Sequence, residues 1–175
     1  MWILTLASLL KLKSQKNFWF NYLNILGGNM SKQQADHHDA DLMLKCYDLR
    51  REELMRKSRD LVGKFFPKNY EELVVLMNPE HPMNAAFRQV TSYWEMVYGM
   101  VKHGVVHPEF FVESNAEGLF VYAKIEPYLE QIRKDFSPFA LQNAEWVAKN
   151  TNTGKAFLER IKVYIQKIAE AAAAK

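Results

Sequence analysis

The chain has 175 residues, of which 49% are hydrophobic, 25% charged and 13% aromatic; this suits one globular domain with a well-filled core and excludes a disordered or fibrous chain. Its net charge of +3 is unevenly placed: residues 1–35 hold four lysines and no acidic residue, so the rest carries 19 of the 23 basic residues against all 20 acidic ones. That balanced body lacks the clustered basic excess of a nucleic-acid surface, so nucleic acid is not expected as a partner.

Residues 1–35 form a basic, apolar extension ahead of a helical domain spanning 36–175. The run Trp2–Leu10 is apolar, but Lys11, Lys13 and Lys16 follow it. It falls short of the roughly 20 apolar residues that span a bilayer. The charge also follows the apolar run where a secretory signal would put it first. Phe18, Trp19, Phe20 and Tyr22 among lysines would suit an interfacial membrane anchor over residues 1–26. A second expectation is that Met30 is the natural start. Gly27-Gly28-Asn29-Met30 is encodable as GGA-GGN-AAY-ATG, which places GGAGG just ahead of ATG in the layout of a bacterial ribosome-binding site.

Asp36, Asp39 and Asp41 are candidate caps for a first helix reaching about Phe66, before Pro67. In it Leu42, Cys46 and Leu49 make one apolar row, and Tyr47, Leu54, Leu61 and Phe65 another. Glu52–Arg56 and Glu53–Lys57 have favourable i,i+4 order, and the charges from Arg50 to Asp60 read as a solvated face. Asn69 and Glu72 have capping-box spacing for a short helix from Tyr70 to Met77, stopped by Asn78-Pro79.

The central element is the stretch His81–Gly104. Phe87, Val90, Trp94, Val97 and Val101 recur at spacings of three and four, and Tyr93, Tyr98 and Met100 widen the stripe. A helix this apolar belongs in the middle of a bundle. The opposite strip carries Arg88, Ser92, Glu95, Gly99 and Lys102. Seven residues rise roughly 10 Å, so Arg88 and Glu95 should not pair with each other. The strip reads as a solvated face, as a polar seam against another helix, or as a ligand site.

His107-Pro108 opens a short turn of helix through Phe111, and a longer helix follows from near Asn115. Pro127 lies inside that helix and should kink or divide it. Ser137-Pro138 reads as a cap with proline at the first helical position, starting a helix that fades at Asn150. Thr151–Gly154 is a break, and Phe157, Ile161, Tyr164, Ile165 and Ile168 mark the last helix. No stretch alternates with the period of a strand. The predicted fold is all-α: a single-domain bundle of five to seven helices around the helix at about 84–103.

Motifs with a chemical mechanism are missing. His-Glu-x-x-His, a Walker loop, Gly-x-Gly-x-x-Gly and Gly-x-Ser-x-Gly do not occur, and none of the five histidines follows an acidic residue by three positions. His37 and His38 among Asp36, Asp39 and Asp41 read as a polar helix start; His103 and His107 have i,i+4 spacing, but Gly104 and Pro108 interrupt the helix. No metal or cofactor is expected. The single cysteine, Cys46, excludes an internal disulfide, sits on an apolar row, and fits a reducing, cytoplasmic setting.

The segments DLRREELMRKSRD (48–60), HPMNAAFRQVTSYWEMVYGMVKHG (81–104) and AEGLFVYAKIEPYLEQIR (116–133) resemble a family of small bacterial all-helical proteins of unknown function. The resemblance spans about residues 40–165 and implies a helical fold, with no catalytic residues. Together these features favour a non-enzymatic helical protein that binds a protein partner or a second copy of itself. A small-molecule or enzymatic site lined by Arg88, Glu95, Tyr93 and Tyr122 is one alternative, and a membrane-peripheral protein anchored by residues 1–26 is another.

Overall fold

The structure is a computed structural model that describes residues 32–173, and these form one all-helical unit. The expectations for residues 1–26 and for Met30 lie outside the described residues. Among the described residues no helix is long and apolar enough to cross a membrane.

Helix α1 (His37–Arg51) opens on a reciprocal cap. Asp36 accepts the amides of His38 and Asp39, and the Asp39 carboxylate accepts the Asp36 amide at 2.8 Å. Asp39 is fully buried and also accepts the His107 amide at 3.0 Å, which ties this helix start to a distant loop. So the acidic cluster of the sequence is a helix start.

The single helix expected to reach Phe66 is broken at Glu52, where ψ is 139°. Glu52 forms no pair with Arg56; its carboxylate caps α2 (Glu53–Lys64) by accepting the Leu54 and Met55 amides at 3.0 and 2.7 Å. Glu53 and Lys57 do pair, at 2.6 Å. The break also rotates the apolar rows. Cys46, Met55 and Val62 are buried, whereas Leu49 and Leu54 are 55% and 61% exposed.

Helix α3 (Tyr70–Val74) runs into a 3-10 turn, Val75–Met77, as its spacing predicts. Asn69 accepts the Glu72 amide, but the Glu72 side chain reaches the Lys68 amide, so the box closes one residue early. Helix α4 (Asn84–Lys102) is the axis of the fold and packs chiefly against α2 and α8 (Gln142–Asn150). Phe87, Val90, Trp94, Val97 and Val101 are all buried, and so is Tyr98.

His107 caps α5 (Pro108–Ser114) through Nδ1, which accepts the Phe110 amide. Helix α6 (Glu117–Ile125) then packs against α4 where Gly118 allows it: a β-carbon there would stand 2.6 Å from the Tyr98 ring and 2.7 Å from Trp94. Pro127 divides the next stretch into a 3-10 turn, Glu126–Tyr128, and α7 (Leu129–Asp135), because it has no amide to continue the helix. The two divisions, at Glu52 and Pro127, raise the segment number above the five to seven expected.

Ser137-Pro138 does not start a helix. Residues 137–141 form turns, Leu141 has the left-handed φ of 48°, and α8 begins only at Gln142. After Thr151, α9 (Asn152–Ala173) closes the bundle against α6 and α8. The Glu109 carboxylate accepts the Asn152 and Thr153 amides at its start.

Candidate functional site

The stripe of α4 opposite its buried face is only partly covered. The α1–α2 pair stands on one side, and α7 with the 137–141 turn stands on the other. Three adjoining cavities lie along the strip between them, and Ser92 lines all three. The first, about 590 Å³, is walled by Phe87, Leu129, Ile132, Phe139 and Leu141, with Arg88 and Glu95 as its charged groups. The second, about 450 Å³, lies towards α1–α2 between Leu49, Met55, Tyr93 and Met96. The third, about 400 Å³, is at the start of α4, beside Ala85, Arg88 and Gln89. The first two form a groove with apolar walls, on which Leu49, Met96 and Phe139 are 55%, 48% and 68% exposed, while the third is lined by α4 residues alone, four of the five polar.

Of the four residues proposed from the sequence, Arg88 and Glu95 meet in the first cavity, and Tyr93 lines the second. Tyr93 is fixed there because its hydroxyl donates to the Cys46 carbonyl at 2.7 Å. Tyr122 is 1% exposed within the core and belongs to neither cavity. Burial pushes the phenols of both tyrosines above their ordinary range.

Glu95 is a seam residue. Its two carboxylate oxygens accept the amides of Asn143 and Ala144 at 3.1 and 2.8 Å. These are orphan donors in the first turn of α8, which has no side-chain cap of its own because Leu141 precedes it. Glu95 thus caps a helix from a neighbouring one. Burial raises its pKa above the ordinary glutamate value, against the two amides, which lower it. Glu52, the other carboxylate on the groove, has both oxygens on the amides of α2. Arg88 is exposed and has no ion-pair or side-chain hydrogen-bond partner among the described residues.

Residues 35–151 match DUF4760, a domain of unknown function. The chain belongs to that family. Nothing among curated proteins or solved structures matches it. The family domain thus takes in α1 through α8 and the whole groove.

Two buried charged sites were not anticipated. The Arg50–Asp60 stretch is not wholly a solvated face. Arg50 is 9% exposed and lies over the Tyr47 and Trp94 rings at 5.3 and 5.5 Å. Arg59 grips the Glu117 carboxylate through Nε and Nη2 and donates to the Arg50 carbonyl. Lys124, on an apolar helix face, is 6% exposed; its Nζ donates to the carbonyls of Val62, Gly63 and Phe65 at the end of α2. Phe66 and Phe120 flank that ammonium at 4.9 and 4.7 Å. A lysine inside the apolar run Leu119–Ile125 was the available signal, because a charge placed there is seldom solvated. Among the described residues no group of three or more His, Cys, Asp or Glu is placed to hold a metal.

Proposed function

We propose that this chain is a non-enzymatic recognition protein whose groove along α4 seats an amphipathic helix from a protein partner, with an acidic residue of that helix set against Arg88. The carrying observation is the partly covered strip of α4 between two apolar walls, with a cavity on either side of Ser92. Such a groove is the usual receptor for a helix presenting apolar anchors at i, i+3 or i+4, and i+7. Charge complementarity selects the acidic residue. Glu52 and Glu95 each have both oxygens on helix amides, whereas Arg88 is the one charged groove side chain without an ion-pair or hydrogen-bond partner among the described residues. A catalytic role for Glu95 has little support, because both its oxygens are already taken by amides.

Selection from a displayed library of helical peptides, using the full chain as bait, tests this. It should converge on apolar residues at helical spacing plus an acidic residue. Ser92→Trp, which fills the shared floor, should abolish binding of the selected peptides, and Arg88→Glu should weaken it at least tenfold. Failure to converge, or binding indifferent to Ser92→Trp, would overturn the proposal.

A further inference from the structure

A second cavity, of about 570 Å³, lies away from the groove, between the Phe66–Lys68 segment, the end of α6 and the face of α9 that carries Ile165 and Ile168. Its volume falls in the range of small-ligand sites. Its walls are aliphatic for the most part, and its ionisable cations are Lys68 and Lys124; no carboxylate lines it. We propose that this cavity binds a single-chain alkyl carboxylate, with its tail against Ile165, Ile168 and Pro127 and its head between Lys68 and Lys124.

Charge carries the choice of ligand. Lys124 is a buried cation with no acidic partner within ion-pair distance among the described residues. Its ammonium is balanced by the carbonyl end of α2 and by two aromatic faces, which supply partial charges only. A full negative charge entering this low-dielectric space would meet an uncompensated full positive one. Of the three carbonyl contacts, the one to Gly63 is the longest at 3.3 Å, and a carboxylate oxygen can replace it while those to Val62 and Phe65 stay at 2.6 and 2.9 Å. Lys68 is exposed and supplies a second ammonium. A phosphate head is disfavoured because the lining offers neither an arginine fork nor an array of amides at a helix start.

Calorimetric titration of the full chain with sodium decanoate, kept below its micelle concentration, is the test. Saturable one-to-one binding is expected. Decanol should bind at least tenfold more weakly than decanoate, and decyl phosphate no more tightly. Ile165→Trp, which fills the tail space, and Lys68→Glu, which reverses the exposed cation, should each weaken decanoate at least tenfold. Arg88→Glu, in the separate groove, should leave it unchanged. Absence of saturable binding by the wild-type chain overturns the proposal, and so does decanol binding as tightly as decanoate. If the two cavity variants melt like the wild type and bind decanoate equally well, the ligand sits elsewhere and the site is wrong.

Discussion

Glu95 offers the most direct check on how the groove is built. Its carboxylate holds the amides of Asn143 and Ala144, and Ala144 is 1% exposed, so water cannot easily take over that donor. Removing an N-cap costs about 0.5–2 kcal/mol, and a hydrogen bond to a charged group contributes a net of about 1.5–3 kcal/mol. Glu95 is only half-buried, so part of this is screened. Glu95→Ala should therefore lower stability by about 2–3 kcal/mol. Glu95→Gln should cost under about 1 kcal/mol, because the amide keeps one acceptor and sheds a buried charge.

The pH dependence has a definite sign. The folded-state pKa of Glu95 is raised by burial, so just above the ordinary glutamate pKa of 4.5 the folded chain holds a proton that the unfolded chain has released. Stability from this group is fully present below 4.5 and falls as pH climbs through the raised value. Urea denaturation at pH 4 and pH 7 reads both effects, and the wild-type loss across that window should shrink in Glu95→Gln. If Glu95→Gln is as damaging as Glu95→Ala, or Glu95→Ala costs no more than Ser92→Ala, the cap assignment is wrong.

Two further outcomes follow from the core and from Lys124. Trp94→Ala should destabilise by about 3–5 kcal/mol, as for a fully buried large aromatic, while Arg88→Ala should stay within about 0.5 kcal/mol; similar small losses from both would mean that α4 has been rotated wrongly. Burial pushes the Lys124 amine from 10.5 down to about 8, so between those values the unfolded chain binds the extra proton and stability should rise with pH. Measured as the difference between wild type and Lys124→Met, that rise should amount to about 2–4 kcal/mol from pH 8 to 10.5, and a flat difference would refute it.

The sequence reveals the interior of this fold far better than its exposed strip. Five apolar residues at alternating spacing are enough to orient α4, because only one face of a helix can bury that stripe. Caps at Asn69 and His107 are equally local, since cap and amide lie within three residues of each other. Glu52 shows where local reading fails. As a helix-interior glutamate it pairs with Arg56, and as a cap it starts a new helix; what separates the two is whether Met55 and Val62 can reach α4. Glu95, Arg59 and Lys124 satisfy groups 48 to 62 residues away, and no spacing rule detects contacts at that range. Tyr122, a candidate beside Arg88, lies instead in the core with its apolar neighbours in α6.

The seam at Glu95 also bears on why the groove exists. The left-handed Leu141 delays α8 to Gln142, and the turn ahead of it supplies Phe139 to the groove wall. That wall is held at both ends. Glu95 fixes the amides after the turn, and Arg133 donates through Nε and Nη2 to the Ala140 carbonyl at 3.1 and 3.0 Å while also binding Glu145. A charged brace on either side of an apolar wall spends little conformational freedom when a ligand arrives, because the ordering was completed on folding. The carboxylate that caps α8 thus also holds the groove wall in place, and under the proposed function loss of Glu95 should weaken groove binding together with stability.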